Sequence, residues 1–170
     1  MKDGNIVQVG TPEEILMNPS NQYVERFVED VDLSKVLTAE HVMKRAESIQ
    51  LEKGPRVALQ LMKERGISSV YVVNKQNKLL GALTADDATK AIEQKVGISD
   101  IMTTELLTVR PDIVLTDLFE KVSQAGVPVA VTDENERLKG IVVKGAVIGA
   151  LAGNEEHIND LASKKIGEVN

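Results

Sequence analysis

The chain repeats itself at one fixed interval, and that interval constrains its fold more than any other feature. Val42-Met43 recurs as Ile101-Met102 at a shift of 59 residues, and Gly81 recurs as Gly140 at the same shift. The stretch "ISSVYVVNKQNKLLGAL" lies over "GVPVAVTDENERLKGIV" without a gap, so Val70 meets Val129 and Val72 meets Val131. Repeats of roughly 20–50 residues usually build solenoids from many copies. Here a longer period occurs only twice, which points to two small units closed against each other about a pseudo-twofold axis. A unit of roughly 60 residues buries too little surface to be secure alone, so the two are expected to share an interface.

Both copies read in the same order. In the first, "GPRVALQLMKERG" sets Val57 with Leu61 and Ala58 with Met62 at helical spacing, and Gly66 is the stop signal. "SSVYVV" is a short β-branched strand, "NKQNK" a polar turn and "LLGAL" the return strand. "TADDATKAIEQKV" goes back to helical periodicity, with Thr84 at its N-cap. In the second copy "IVLTDLFEKVSQAG" is the helix, "VPVAVT" and "LKGIVV" are strands around "DENER", and "KGAVIGALAG" is a short last helix. A further short strand precedes the first helix of each copy, around residues 47–51 and 106–109. The predicted unit is β-α-β-β-α, twice, an α/β (α+β) fold. A helix between the first two strands requires a crossover and parallel pairing, and the tight polar turn requires an antiparallel hairpin.

Composition removes several chemistries. There is no Cys, so disulfides, thiolate metal sites and Cys nucleophiles are absent. His41 and His157 stand far apart and read as surface or cap residues, so no metal is expected. Aromatics are 2% of the chain, which disfavours a stacking platform for single-stranded nucleic acid. Residues 1–38 carry a net charge of −4, residues 39–153 zero and residues 154–170 −2. Such a balance argues against a duplex-binding surface, so no nucleic-acid partner is expected. No apolar run of about 18 residues occurs, so no membrane span is expected, and "MKDGNIVQVG" does not read as a signal peptide.

Residues 39–153 resemble a tandem pair of CBS domains, a Bateman module. The residues carrying this are "VMKR" and "DIMTTELLTVRPD" at the unit starts, hairpins ending in "LLGAL" and "LKGIV", and the G-x-x-T-x-x-D of "GALTADD". Residues 1–28 resemble the end of an ABC-transporter ATPase domain, a β-hairpin followed by a short helix beginning T-P-x-E. Thr11 caps that helix, Pro12 lies in its first turn, and Glu13 and Glu14 meet its positive end. Together they resemble the ATP-binding subunit of a glycine betaine/proline osmoprotectant importer. The expected divisions are an ATPase remnant at 1–30, a linker at 31–38, CBS units at 39–96 and 97–153, and a tail at 154–170 with weak helical character around 158–162.

The candidate site is "GALTADD". Gly81 has no Cβ, so a ligand or another backbone can approach closely. Thr84 opens a helix, where free N–H groups attract an anion, and Asp87 can accept two hydroxyl donors from a ribose diol. The resemblance assigns Thr84 to phosphate and Asp87 to ribose, with adenine against Ile49, Val70 and Tyr71. The alternative is structural: Thr at an N-cap with Asp three residues on is close to a capping box. At the equivalent corner, "GIVVKGA", Val143 stands for Thr84 and Ala146 for Asp87, so the pair has at most one conventional nucleotide site. Lys144 there reads as a solvent-facing cation.

No Walker A or ABC signature motif is present, so the chain alone is not expected to be an enzyme. The leading reading is a regulatory module of the importer ATPase, on the cytoplasmic face of the membrane, sensing an adenine nucleotide or cyclic di-AMP. The alternative is a ligand-free sensor of ionic strength or an anionic membrane surface, or a dimerisation scaffold. The resemblance implies a homodimer, with the rest of the ATPase subunit and the permease as partners.

Overall fold

The computed structural model describes residues 4–28 and 31–152. Two short helices come first, α1 (Pro12–Met17) and α2 (Gln22–Val28), and a one-turn helix α3 (Ala39–Val42) leads into the repeat. The first unit is β1 (Ser48–Gln50), α4 (Pro55–Arg65), β2 (Ser69–Val73), β3 (Leu79–Thr84) and α5 (Ala85–Gln94). The second is β4 (Thr108–Val109), α6 (Leu115–Gln124), β5 (Val129–Thr132), β6 (Leu138–Val142) and α7 (Lys144–Leu151). The order β-α-β-β-α therefore occurs twice, as the periodicity requires.

Each unit forms a three-stranded sheet, β1-β2-β3 and β4-β5-β6. The first pair in each is parallel and the second antiparallel, with Ile49 opposite Val72, Ser69 opposite Thr84, and Val129 opposite Val142. The hairpins also share their irregularity, a register shift at Val72/Val73 and at Val131/Thr132. Their turns place Asn77 and Glu136 in the left-handed region, at φ of 61° and 60°. Gly66 ends α4 in the same region at φ 63°, where the missing Cβ removes the steric cost.

Alternation along the strands divides the core. Val70, Val72 and Leu83 lie under α4 and α5 with Ala58, Met62 and Ala88. Tyr71, Val73 and Ala82 face the other way and meet Ala130 and Leu138 of the second sheet. The two units are thus joined sheet to sheet.

The repeat also exchanges its opening segments. Lys44 and Ile141 share two backbone hydrogen bonds of 2.8 Å, and Ala82 and Thr103 share two of 2.9 Å. Residues just before β1 therefore extend the second sheet, and those before β4 extend the first. This explains both recurring glycines. A Cβ on Gly81 would lie 2.7 Å from Thr103 O, and one on Gly140 would lie 2.7 Å from Lys44 O. The close approach that Gly81 permits is by another backbone. Leu37, Ala39 and Val42 follow the same path and are buried in the second unit's core with Leu115 and Leu118.

Thr11 caps α1 as expected: Glu14 N–H donates to Thr11 Oγ1 at 3.2 Å and Thr11 N–H donates to Glu14 Oε2 at 2.9 Å. Of the hairpin expected ahead of it, the described residues show a turn at Gly4 and a β-bridge at Asn5, and residues 1–3 lie outside the described residues. Ile6 and Val9 of this segment are 70% and 83% exposed. His41 has a cap role, since Thr38 N–H donates to His41 Nδ1 at 3.1 Å. His157 and the helical character expected around 158–162 lie outside the described residues.

Candidate functional site

The corner where β3 turns into α5 is the candidate site. Thr84 is the N-cap in extended conformation, at φ −86° and ψ 165°. Asp87 N–H donates to Thr84 Oγ1 at 3.1 Å, and Thr84 N–H donates to Asp87 Oδ2 at 3.3 Å. Thr84 Oγ1–H donates to the same Oδ2 at 2.6 Å. The capping box is therefore complete. The two bonds that the carboxylate accepts both fall on Oδ2, while Oδ1 accepts from none of the described residues. Thr84 and Asp87 are each half-buried, so a ligand can reach them.

Two further polar residues, Ser68 and Ser69, adjoin this corner through their backbones. Ser69 pairs with Thr84 across the hairpin, and Ala85 N–H donates to Ser68 O at 2.9 Å. The signal was available in "GISSV", where two serines precede an apolar strand. At the second corner the four equivalent positions are Val127, Pro128, Val143 and Ala146, all apolar. Val143 caps α7 in similar backbone geometry, at φ −97° and ψ 147°, with no side-chain bond. Lys144 is exposed and its Nζ donates to Ser123 O at 3.3 Å.

The apolar residues expected around adenine do not form one accessible wall: Ile49 and Val70 share the buried cluster under the helices, while Tyr71 lies on the other face of the sheet. Val70 and Tyr71 are neighbours on one strand, and strand geometry sends them to opposite faces. Val70 is 0% exposed under the helices and offers no surface to a ligand. Tyr71 lies between the sheets, and its hydroxyl donates to Pro128 O of the second unit. Burial pushes the Tyr71 phenol up to about 12. Ile49 lies on β1 and lines an open cleft of about 440 Å³ with Ser48, Gln50, Lys53, Val57 and Leu61. It is opposite Val72, which is opposite Gly81, so it is two strand spacings, roughly 10 Å, from β3. Gly81 is buried beneath Met102 and Thr103. Thr84 and Asp87 alone of the expected set share one accessible corner.

Two such units, each with a crossover, a hairpin and a closing helix, and each lending its opening segment to the other, define a tandem CBS pair. The chain belongs to the CBS domain family, which it matches over residues 33–94 and 98–153. It is similar to the glycine betaine transport ATP-binding protein OpuAA of Bacillus subtilis, at 66% identity over 94% of this chain and 38% of that protein. The chain thus spans about two fifths of such a relative's length. Among solved structures it resembles Staphylococcus aureus OpuCA, at 27% identity and a TM-score of 0.62, over 66% of this chain and 97% of that one. It shares its fold with the Arabidopsis thaliana CBS-pair protein CBSX2 in complex with AMP, at 21% identity and a TM-score of 0.61, over 69% and 98% of the two chains. Among the described residues no group of His, Asp or Glu is placed to hold a metal ion, and no helix is long and apolar enough to cross a membrane.

Proposed function

We propose that this chain is the regulatory part of an ABC importer ATPase subunit for glycine betaine or a related osmoprotectant, and that its Thr84–Asp87 corner binds an adenine nucleotide or cyclic di-AMP. The observation that carries this is the corner itself. Four polar residues, with one uncommitted carboxylate oxygen, stand where the duplicate scaffold has four apolar ones. The likeness to OpuAA supports the transporter, and the AMP complex of CBSX2 supports the ligand class. The two units, residues 39–96 and 97–153, act as one body because each holds the other's opening segment.

Cap and ligand would use the same atoms. In the resting corner the Thr84 hydroxyl proton points at Asp87 Oδ2. A phosphate at the α5 N-terminus would draw that proton away, and the freed carboxylate would then accept both hydroxyls of a ribose. Binding would thereby change the tension at the β3–α5 junction, which is joined through Ala82 and Thr103 to the second unit. In this reading two copies pair, the module works at the cytoplasmic face beside the ATPase and permease, and the chain by itself hydrolyses nothing.

Calorimetric titration with AMP, ADP, ATP and cyclic di-AMP tests the reading. Saturable binding of at least one is expected. Silence for all four with the fold intact would replace it with a ligand-free sensor of ionic strength or a dimerisation scaffold.

A further inference from the structure

The open cleft of the first unit has β1 on one side and α4 on the other. Tyr71 N–H donates to Glu47 O, so the parallel alternation turns Glu47 and Ile49 toward β2 and sends the N–H and C=O of Ser48 outward. β1 stands at the end of the β1-β2-β3 order, and these two groups bond to none of the described residues. Across the cleft, Val57, Gln60, Leu61 and Glu64 line one face of α4 at helical spacing, and Val57 is 48% exposed. Lys53 and Glu64 are the charged residues of the lining, both exposed and neither in an ion pair among the described residues. The Gln60 amide donates to Glu64 Oε1 at 2.8 Å, which leaves the carboxylate charge in place. Lys53 lies just ahead of α4 and Glu64 in its last turn, roughly 15 Å apart at 1.5 Å per residue. The two charges therefore mark opposite ends of the cleft and cannot pair with each other.

A free strand edge is a template for another strand. A second copy of this chain fits it because the cleft is complementary to itself. A twofold axis at Ser48 sets that residue opposite its own counterpart, where the two exchange both N–H···O bonds of an antiparallel pair. The same rotation reverses the cleft end for end. Lys53 then faces the partner's Glu64, the relation repeats on the other side of the axis, and the Val57 and Leu61 stripes meet between them. The second unit lacks this match. The 59-residue correspondence puts Asp112 for Lys53, Glu120 for Leu61 and Ser123 for Glu64, so its edge would set acid against acid. We propose that two copies of the chain pair edge to edge through β1, with Ser48 at the axis and a reciprocal Lys53–Glu64 ion pair at each end. This gives a surface to the pairing of copies in the reading above and rests on that part of it; it requires no nucleotide.

Sedimentation equilibrium of the whole chain and its variants tests the proposal. The native chain should form a reversible dimer that weakens as salt is raised. Lys53→Glu and Glu64→Lys should each weaken pairing by at least about tenfold, since each sets like charges at both ends. Combined in one chain they should restore it to within about threefold, because the ends are opposite again. Ser48→Pro removes an N–H that holds nothing within the chain, so it should keep the fold, checked by circular dichroism, and weaken pairing by at least about tenfold. A dimer that these changes leave intact, or a double variant no better than the single ones, overturns the edge contact while pairing through another face stands. A chain that stays monomeric overturns the pairing itself. Nucleotide binding at Thr84 and Asp87 is decided separately from both.

Discussion

The β3–α5 corner and the β6–α7 corner are built on one backbone plan. Their N-cap residues have nearly the same φ and ψ, and their hairpins slip register at the same place. The glycines that precede them are pressed by the same pair of atoms, a methionine sulfur and a carbonyl oxygen. Yet one corner presents Ser68, Ser69, Thr84 and Asp87, and the other Val127, Pro128, Val143 and Ala146. The difference teaches that scaffold and chemistry separate cleanly in this fold. The duplication preserves what packing needs at both sites and keeps polar atoms at only one.

The largest expected effect tests the shared half of the comparison. Gly81→Ala and Gly140→Ala should each destabilise the chain by about 1–3 kcal/mol, because each added methyl meets an opposing carbonyl. Chemical denaturation should find the two penalties equal within error. A large inequality would break the claim of equivalent crossings.

A smaller effect tests the unshared half. Thr84→Ala should cost about 1 kcal/mol through loss of the cap. Val143→Thr keeps the side-chain shape and supplies the missing hydroxyl, so it should be neutral or stabilising by up to about 1 kcal/mol. Thermal unfolding of both variants checks the sign at each corner.

Tyr71, at whose equivalent position the second unit has Ala130, extends the contrast to pH. Burial raises the phenol from its ordinary value of 10.0 to about 12 in the fold. The neutral form is thus favoured when folded, so this contribution is full below about pH 10 and is lost as pH rises through about 12. Alkaline unfolding should show that loss in the native chain and not in Tyr71→Phe.

The smallest effect lies at the pseudo-axis, where Lys78 meets Glu136 at 2.8 Å. The Lys78 ammonium holds the Glu136 carboxyl below its ordinary range. Stability from this pair is present above the unfolded carboxyl's range and is lost as pH falls through the lowered folded value. Lys78→Ala should return Glu136 to ordinary titration in a carboxyl-resolved NMR experiment. Because the pair is exposed, global stability should change little.

Much of this architecture was legible because duplication states every signal twice. Gly81 gains meaning from Gly140, and the strand order follows from helix and turn placement alone. The face of each strand residue was legible too: the adjacency of Val70 and Tyr71 already forbids both from lining one wall. Other features depend on distance across the sheet, which a linear sequence does not carry. Ile49 is close to Val72 yet far from Thr84, and the lean of Tyr71 toward Pro128 depends on how the two sheets stack. The exchange of opening segments was hinted at by Val42-Met43 and Ile101-Met102, but only the paired glycines, seen against Thr103 and Lys44, explain it.

The central claim is that ligand binding belongs to one corner. AMP titration of the wild-type chain, Asp87→Ala and Lys144→Ala measures it most directly. Asp87→Ala should weaken binding about 10–100-fold, the loss expected when a charged acceptor is removed. Lys144→Ala should stay within about twofold, as for an ordinary surface change. AMP bound equally well by wild-type and Asp87→Ala, or weakened equally by both variants, would contradict the account and leave Thr84 and Asp87 as a helix cap alone.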